Sequence, residues 1–203
     1  MKYIGHEIIA SDFCIYLEYM SGGNITKTIS TFGALPEKTI KFYTKQILLG
    51  LQYLHSKHII HKDIKSANVL VDSKGVIKIS DFGCAKQIEK TLSSFKIANT
   101  IKGSILWMAP EVIKESIYTY KSDIWSARCT VLEMATGKQP WSEKNFENPF
   151  AALLSIGSSD DTPYVPDELP EKMKSFLKCC FQCDMKQRYS ADDLLSHQFL
   201  SNI

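Results

Sequence analysis

The sequence lacks the features that mark membrane, secreted and nucleic-acid-binding proteins. No apolar run is long enough to span a membrane, and the first strand-like segments contain Glu7, Asp12 and Glu18, which a secretory signal would not. The net charge of +2 is too small to indicate nucleic acid or an anionic membrane as a partner. Internal repeats and low-complexity tracts are also absent. These absences favour a cytoplasmic globular protein.

Cysteine is present, but its spacing does not complete a metal site. The six cysteines are Cys14, Cys84, Cys129, Cys179, Cys180 and Cys183. Cys180 and Cys183 form one C-x-x-C, yet no second pair of cysteines or histidines follows at zinc-binding spacing. We therefore expect reduced and mostly buried thiols, as in cytosolic proteins.

The composition is that of a folded domain. The chain has 203 residues, of which 44% are hydrophobic and 23% are charged. This length suits one domain or at most two, and the apolar content is sufficient for a packed core.

Hydrophobic periodicity predicts a mainly helical chain with a small cluster of strands at its start. Strands are expected at 2–9 and 13–19, and again in "NVLVD" and "GVIKIS". A long helix should open near Pro36, because Ile40, Tyr43, Ile47, Leu51 and Leu54 recur at helical spacing. Further helices are expected at about 121–136, 171–182 and 190–196, whereas 86–104 is polar with little periodicity.

Polar residues in two short segments indicate phosphoryl-transfer chemistry. In "HKDIKSAN" (61–68), Asp63 is a candidate acceptor for a hydroxyl proton, and Asn68 is a candidate ligand for Mg²⁺. Lys65 would place positive charge near a transferred phosphoryl group. Asp81 in "DFG" offers a second hard oxygen ligand. Each of these residues, taken alone, is also compatible with an ordinary role as a cap or as a solvated side chain.

The order and spacing of three motifs are more specific than any one of them. H-x-D-x-x-x-x-N at 61–68 is followed by "DFG" at 81–83 and "APE" at 109–111. This combination resembles the eukaryotic protein kinases, and the resemblance covers the whole chain. It implies an α+β fold with a mainly helical large lobe over 21–203, and with strands and the hinge of the small lobe over 1–20. It also implies ATP and Mg²⁺ as cofactors.

The resemblance assigns catalytic roles to individual positions. Asp63 would be the base, Lys65 would stabilise the phosphate, and Asn68 and Asp81 would bind the metal. Ser104 lies where such kinases have a threonine, and its hydroxyl would bond Asp63 and Lys65. The "DIK" triplet at 63–65 is of the serine/threonine type.

The same resemblance assigns a nucleotide site around "LEYMSGG". The backbone of Glu18 and Met20 would meet the adenine, with Leu17 as gatekeeper. Asn24 would lie near the ribose, and Leu70 would form the floor of the pocket. Leu17 and Leu70 are equally compatible with ordinary core positions.

Five further positions are assigned structural or regulatory roles by resemblance. Glu111 of "APE" would form a buried ion pair with Arg188, and Asp123 would hydrogen-bond the catalytic-loop backbone. Thr100 would be the activating phosphosite, with Lys62 within reach of its phosphate. Lys62 replaces the usual arginine and lacks its bidentate fork, so phosphate control should be weaker.

Within the kinases, the chain is most similar to mitogen-activated protein kinase kinase kinases of the MEKK and plant NPK type. Four segments carry this resemblance, namely "ANTIKGSILWMAPEVI", "EMATGKQPWSE", "NPFAALLSIGSS" and "RYSADDLLSHQFL". The resemblance implies a protein substrate, which for this group would be a downstream kinase. A regulatory protein partner is also expected.

Two departures from the kinase pattern lead to further expectations. The chain contains no Gly-rich loop and no V-A-I-K lysine, so it is expected to begin in the fourth strand of a kinase domain and to transfer phosphate very slowly or not at all by itself. A non-catalytic docking module and a piece of a longer active kinase are the alternatives. Arg128 stands where the pattern has glycine, in a helix expected to be buried, and must find a partner or a path to water.

Overall fold

The computed structural model describes residues 1–89 and 104–201, together with the backbone of a short strand at 94–96. The helices in these residues are α1 (Ile25–Phe32), α2 (Glu37–Ser56), α3 (Pro110–Glu115), α4 (Tyr120–Thr136), α5 (Pro149–Ser158), α6 (Glu171–Cys180) and α7 (Ala191–Leu195). The strands are β1 (Tyr3–Ile9), β2 (Asp12–Leu17), β3 (Gly23–Asn24), β4 (Ile59–Ile60), β5 (Val69–Val71), β6 (Ile77–Ile79), β7 (Lys86–Gln87), β8 (Ser94–Lys96) and β9 (Ile117–Thr119). The predicted α+β, mainly helical fold is confirmed.

The long helices form where the periodicity predicted them. α2 begins directly after Pro36, whose fixed φ suits the entry to a helix. α4 ends at Gly137, which adopts the left-handed conformation that favours glycine (φ 71°). α7 begins with a capping box, in which Ser190 and Asp193 bond each other's backbone N–H groups.

Three helices were not predicted from the sequence. α1 reads "ITKTISTF", which is rich in β-branched residues with weak helix propensity. It is stabilised by burial of Ile25 and Ile29 and by Asn24, whose side chain accepts a hydrogen bond from the Lys27 N–H at 2.8 Å. α5 opens with an Asn148 cap and Pro149, a start signal that the sequence does carry. α3 is only six residues long and also opens with a proline, Pro110.

The strands of the described residues form small antiparallel sheets. β1 pairs with β2 as a two-stranded ribbon, and β3, β5 and β6 form a three-stranded sheet in the order β3-β5-β6. β4 pairs with β7, and β8 pairs with β9. β7 and β8 lie in the polar stretch 86–104. None of these four strands was predicted, because each has only two or three residues.

α4 is the centre of the core. Most of its residues are buried on every side, as expected for this helix, and it packs against α2 and α6. α2 in turn packs against α7 and the sheet strand β6. Arg128, in the middle of α4, is 3% exposed, so the predicted burial of this charged residue is confirmed. No helix in the described ranges is both long enough and apolar enough to cross a membrane.

Candidate active site

The backbone of loop 61–68 is anchored to the first turn of α4. The Asp123 carboxylate, 1% exposed, accepts hydrogen bonds from the backbone N–H groups of His61 and Lys62, each at 2.9 Å. The His55 ring nitrogen Nε2 lies 3.0 Å from the same carboxylate. Lys62 adopts a left-handed conformation (φ 72°), which is costly for a residue other than glycine. The hydrogen bonds to Asp123 hold the loop in this conformation.

The Lys65 ammonium group and the Asn68 side-chain amide orient the Asp63 carboxylate. Its Oδ2 atom is 2.9 Å from Lys65 Nζ and accepts a hydrogen bond of 2.9 Å from Asn68 Nδ2. The same amide nitrogen also donates to the Asp63 backbone carbonyl at 2.8 Å. Within the described part of the chain, Oδ1 accepts no hydrogen bond. Asp63 is therefore a fixed, ionisable acceptor with one oxygen available to a substrate.

Lys65 also connects this loop to the segment before "APE". Its Nζ donates a hydrogen bond of 2.7 Å to the Ser104 hydroxyl, which is 39 residues away in the chain. The one ammonium group thus contacts both Asp63 and Ser104. Hydrogen bonds from a charged donor are stronger than those between neutral groups, so both contacts help to fix the Lys65 ammonium group.

Asn68 and Asp81 are brought together by the pairing of β5 with β6. Val69 pairs with Ile79, and both the N–H and the hydroxyl of Ser80 donate to the Asn68 carbonyl, at 2.9 and 3.0 Å. Because the Asn68 amide donates through nitrogen to Asp63, its side-chain oxygen is left for a ligand. Asp81 is exposed and left-handed (φ 60°), and only one of its carboxylate oxygens is bonded within the described residues, to Gly83 N–H at 3.3 Å. Hard oxygens of this kind fit Mg²⁺.

Loop 61–68 thus carries a fixed carboxylate, an ammonium group and an available amide oxygen, and Asp81, just after β6, adds a second available oxygen. In a comparison with known families, the protein kinase domain model matches residues 2–200. The chain belongs to the protein kinase family.

Among curated proteins, the kinase chain is similar to several mitogen-activated protein kinase kinase kinases. It is 46% identical over 203 residues to mitogen-activated protein kinase kinase kinase 3 of Arabidopsis thaliana, covering 100% of this chain and 32% of the relative. It is 44% identical over 203 residues to mitogen-activated protein kinase kinase kinase A of Dictyostelium discoideum, covering 100% of this chain and 21% of the relative. It is 47% identical over 204 residues to mitogen-activated protein kinase kinase kinase YODA of Arabidopsis thaliana, covering 100% of this chain and 22% of the relative. The chain thus spans less than a third of the length of these relatives.

The segment assigned to adenine binding follows the β1–β2 ribbon. Leu17 ends β2 and is 43% exposed, whereas Met20 is buried and its carbonyl accepts the Gly23 N–H at 3.1 Å. The Glu18 backbone N–H donates to the Lys2 carbonyl at 2.9 Å. Leu70 is half-buried in the middle of the β3-β5-β6 sheet. The roles assigned to these residues in nucleotide binding stay predictions.

The side chains of Glu18 and Asn24 have structural partners in this segment. The Glu18 carboxylate accepts a hydrogen bond of 2.6 Å from Lys78 Nζ, which ties the segment to β6. Lys78 and the Lys2 N–H hold the pKa of this carboxyl below its ordinary value. Asn24 is placed near the start of α1, where its side-chain oxygen caps the helix and its amide nitrogen is left for the predicted ribose contact.

Lys62, the residue that replaces the usual arginine, lies against an aromatic ring. Its Nζ is 4.7 Å from the centroid of the Tyr118 ring in β9. Burial raises the pKa of Tyr118, and the nearby Cys84 and Asp63 raise it further. Thr100, the predicted phosphosite, lies outside the described residues, so its relation to Lys62 stays a prediction.

Glu111 and Arg188 form a buried bidentate ion pair. The distances are 2.7 Å from Nη1 to Oε1 and 3.1 Å from Nη2 to Oε2. Arg188 also donates to the backbone carbonyls of Lys121 and Gln182, at 2.8 and 3.0 Å. The pair joins α3 to the segment between α6 and α7, 77 residues apart in the chain.

Sequence reasoning missed three polar contacts that position the site. These are His55 with Asp123, Lys78 with Glu18, and the 2.7 Å hydrogen bond between the hydroxyls of Thr26 and Ser66. The partners are 40 to 68 residues apart in the chain, and no local pattern marks them. Tertiary packing brings these partners together: Thr26, His55 and Asp123 lie on α1, α2 and α4, whereas Glu18 follows β2 and Lys78 lies in β6.

Proposed function

We propose that this chain carries the catalytic machinery of a serine/threonine protein kinase, which transfers the γ-phosphate of ATP to protein hydroxyl groups. The observation that carries the proposal is the Asp63 carboxylate, which Lys65 and Asn68 orient through Oδ2 while Oδ1 stays available. Because Oδ2 is engaged by Lys65 and Asn68, Asp63 would accept a proton through Oδ1, from a group placed beside that atom.

Asp63 would receive the proton of the attacking hydroxyl as the oxygen–phosphorus bond forms. The Lys65 ammonium group contacts both Asp63 and Ser104, and its charge would lie beside the transferred group. Ser104 would fix the position of Lys65 and of the segment that carries the substrate. Because phosphoryl transfer needs little covalent work from the protein, the positions of these groups decide the rate.

Asn68 and Asp81 would hold Mg²⁺ bound to ATP, and their available oxygens fit a hard cation. When bound, the metal supplies positive charge that stabilises the phosphate oxygens. Met20, Leu17 and Leu70 would contact the adenine, and Asn24 the ribose. The hydrogen bond from the Ser80 hydroxyl to the Asn68 carbonyl would help to hold Asn68 and Asp81 at a constant separation.

The names of the relatives describe kinases that act two steps above a mitogen-activated protein kinase. We extend this role to the present chain, so its protein substrate would be a downstream kinase in the cytoplasm. Phosphorylation of Thr100, or a regulatory protein partner, would control it. The high identity across the whole chain supports this extension.

The experiment measures phosphate transfer from MgATP to a generic protein substrate. It uses the 203-residue chain and the same chain joined to a kinase small lobe at its N-terminal side, each with Asp63→Asn and with the control Asp167→Asn at an exposed site. The joined form should be active, and Asp63→Asn should lower its rate by ~10²–10⁴-fold while Asp167→Asn has no effect.

The chain without a small lobe should be slower by at least ~10²-fold, because it lacks the donors that a Gly-rich loop and its lysine place around the phosphates. Equal rates for both forms would show that phosphates are held by other residues. A joined form that binds nucleotide but stays inactive would favour the alternative function, a docking module.

A further inference from the structure

α5 is apolar on every side, although only one side of it is buried. Its sequence, "PFAALLSIGS", contains no charged residue, and its polar side chains are two serines. Ala152 and Ile156 are buried, whereas Phe150 is 65% exposed and Leu154 is 57% exposed. Helices at the surface of globular proteins usually carry polar or charged residues on their outer side. An apolar outer side of this kind marks a contact surface for a partner.

Phe150 and Leu154 form a single surface, which we call the α5 face. They are four residues apart in the helix, so their side chains are neighbours. The buried side of the helix is tightly packed on α3, because a Cβ atom at Gly157 would lie 2.9 Å from Ile113 Cγ2. α5 is therefore fixed with its present side inward, and the α5 face stays at the surface.

Acidic residues lie at both ends of α5 and form an acidic rim. Glu143 and Glu147 precede the helix, and Asp160 and Asp161 follow it, whereas Lys144 is the one basic residue between 143 and 161. The two aspartates are each paired with a lysine, at 2.8 and 3.0 Å. Both glutamates are exposed, and neither forms an ion pair within the described residues. The rim thus has an excess of negative charge, although the net charge of the chain is +2.

A groove connects the start of α5 with the candidate active site. It has a volume of about 610 Å³, and its walls include Pro149 and the segment 104–107. Ser104 in this wall accepts the hydrogen bond of 2.7 Å from Lys65 Nζ, which is itself 2.9 Å from the Asp63 carboxylate. A protein chain bound at the α5 face can therefore extend along the groove towards Asp63.

We propose that the α5 face is a docking surface for the protein substrate, which binds it through a segment of apolar side chains flanked by lysine or arginine. Phe150 and Leu154 would contact the apolar side chains, and the acidic rim would attract the basic ones. A second copy of the chain is a poorer partner, because a symmetric contact would place the two acidic rims together. The proposal rests on the proposed kinase function, since the groove leads to Asp63.

The first test measures binding alone, so it does not depend on kinase activity. The probe is a fluorescent amphipathic peptide of leucine and lysine, and the control peptide has glutamate at every lysine position. Fluorescence anisotropy with the 203-residue chain should show binding of the leucine–lysine peptide only, and added salt should weaken it. Equal binding of the two peptides would overturn the proposal, because the acidic rim would then select nothing.

Variants of the chain locate the binding surface. Phe150→Ser should raise the Kd of the peptide at least ~10-fold, the loss expected for one buried aromatic side chain. Phe13→Ser removes the same side chain from the β1–β2 ribbon, where it is 61% exposed, and should leave the Kd unchanged. Glu147→Lys should also raise the Kd, whereas Asp12→Lys, at another exposed acid, should not. The proposal is wrong if Phe150→Ser has no effect or has only the effect of Phe13→Ser.

Sedimentation of the wild-type chain and of Phe150→Ser tests the other occupant. The two proteins should have the same sedimentation coefficient. A change from dimer to monomer in Phe150→Ser would identify a second copy of the chain as the partner of the α5 face and would refute the substrate.

The last test places the docking segment on a substrate. A serine-containing peptide is compared with the same peptide joined to the leucine–lysine segment by a flexible linker, and the enzyme is the chain joined to a kinase small lobe. The segment should lower KM ~10-fold or more without changing kcat, and Phe150→Ser should remove this advantage.

The failure of this proposal can be distinguished from the failure of the proposed function. A joined form that phosphorylates neither peptide contradicts the proposed function, and the binding tests then still decide whether the α5 face is a docking surface. An active joined form in which the segment binds but does not lower KM would overturn the assignment of the α5 face to the substrate.

Discussion

At the scale of single residues, this domain depends on buried charged groups that each hold two distant segments together. Asp123 joins α4 to loop 61–68 by accepting the N–H groups of His61 and Lys62, and Arg188 joins α3 to the chain before α7. Glu133 in α4 is also buried, but its Oε2 has no partner in the described residues. Because each is shielded from water, loss of one partner should affect stability more than loss of a surface pair.

The Glu111–Arg188 pair should show this asymmetry in equilibrium unfolding by denaturant. Arg188→Met leaves Glu111 buried without a partner and should cost about 3–5 kcal/mol of unfolding free energy. The double variant Glu111→Leu/Arg188→Met should recover part of that loss, because neither charge then needs solvation. A single Arg188→Met cost below about 1 kcal/mol would mean that water reaches Glu111 in the folded chain.

Glu133 should make the domain less stable as pH rises. Burial raises the pKa of this carboxyl, and the nearby Ser66 and Trp107 side chains lower it by less. Between the ordinary pKa and the raised one, the folded chain keeps a proton that the unfolded chain has released, so the unfolding free energy falls with increasing pH.

Glu133→Gln removes this titration. The denaturant midpoint of this variant minus that of the wild type should therefore increase as the pH rises from about 4.5. Glu143→Gln, at an exposed position beyond the same helix, is the matched control. A constant difference between the Glu133→Gln variant and the wild type across this range would contradict a raised pKa.

At the scale of secondary structure, α4 is stabilised by the cap at its N-terminus and by the core that packs around it. A helix that is buried on every side has no polar face, so amphipathic pattern contributes little to its stability. Its start is fixed by a capping box, in which Thr119 accepts the Ser122 N–H at 3.1 Å and Ser122 accepts the Thr119 N–H at 3.1 Å. This box also sets the position of Asp123, the next residue, which anchors loop 61–68.

Thr119→Ala should therefore destabilise the domain by about 1 kcal/mol, the usual cost of losing a side-chain cap, whereas Thr119→Ser should be close to the wild type. Denaturant unfolding of the three proteins measures the difference. Equal stability of the Ala and Ser variants would show that the neighbouring backbone, and not the cap, fixes this end of α4.

The elements differ in how far the sequence could predict them. α2 carries a long apolar periodicity and a start signal at Pro36, and α4 carries an end signal at Gly137, so both helices could be located from the sequence. α1 could not, because its β-branched sequence favours a strand by propensity and only burial of Ile25 and Ile29 makes it a helix. β7 and β9 are too short for any period to appear, and they form because a partner strand lies beside them.

At the scale of the whole molecule, the β1–β2 ribbon contrasts with the core. Large apolar side chains of the ribbon, among them Ile8 at 72% and Phe13 at 61% exposed, face solvent. A two-stranded ribbon alone is only marginally stable in water, and a contiguous exposed apolar surface favours association. The helical core does not depend on this ribbon for its own packing.

The 203-residue chain should therefore bind a hydrophobic dye and associate with itself. Ile8→Lys together with Phe13→Lys should lower dye fluorescence and shift the sedimentation coefficient to that of a monomer, with the unfolding midpoint unchanged. Ser11→Lys in the turn between the strands adds charge without removing apolar surface and is the control. A fall in the unfolding midpoint of the double variant would show that the ribbon is packed on the core.

The sequence alone determined the residue types of the candidate site and the long helices, because both depend on short-range spacing. Asp63, Asn68 and Asp81 lie in local motifs, and the apolar repeat of α2 covers only twenty residues. The tertiary structure decided the remainder: the contact of Asp123 with His55, the tie between Glu18 and Lys78, and the enclosure of Arg128 without a partner in the described residues. These contacts join residues far apart in the chain, or depend on which space the packed helices leave, and neither can be read from local spacing.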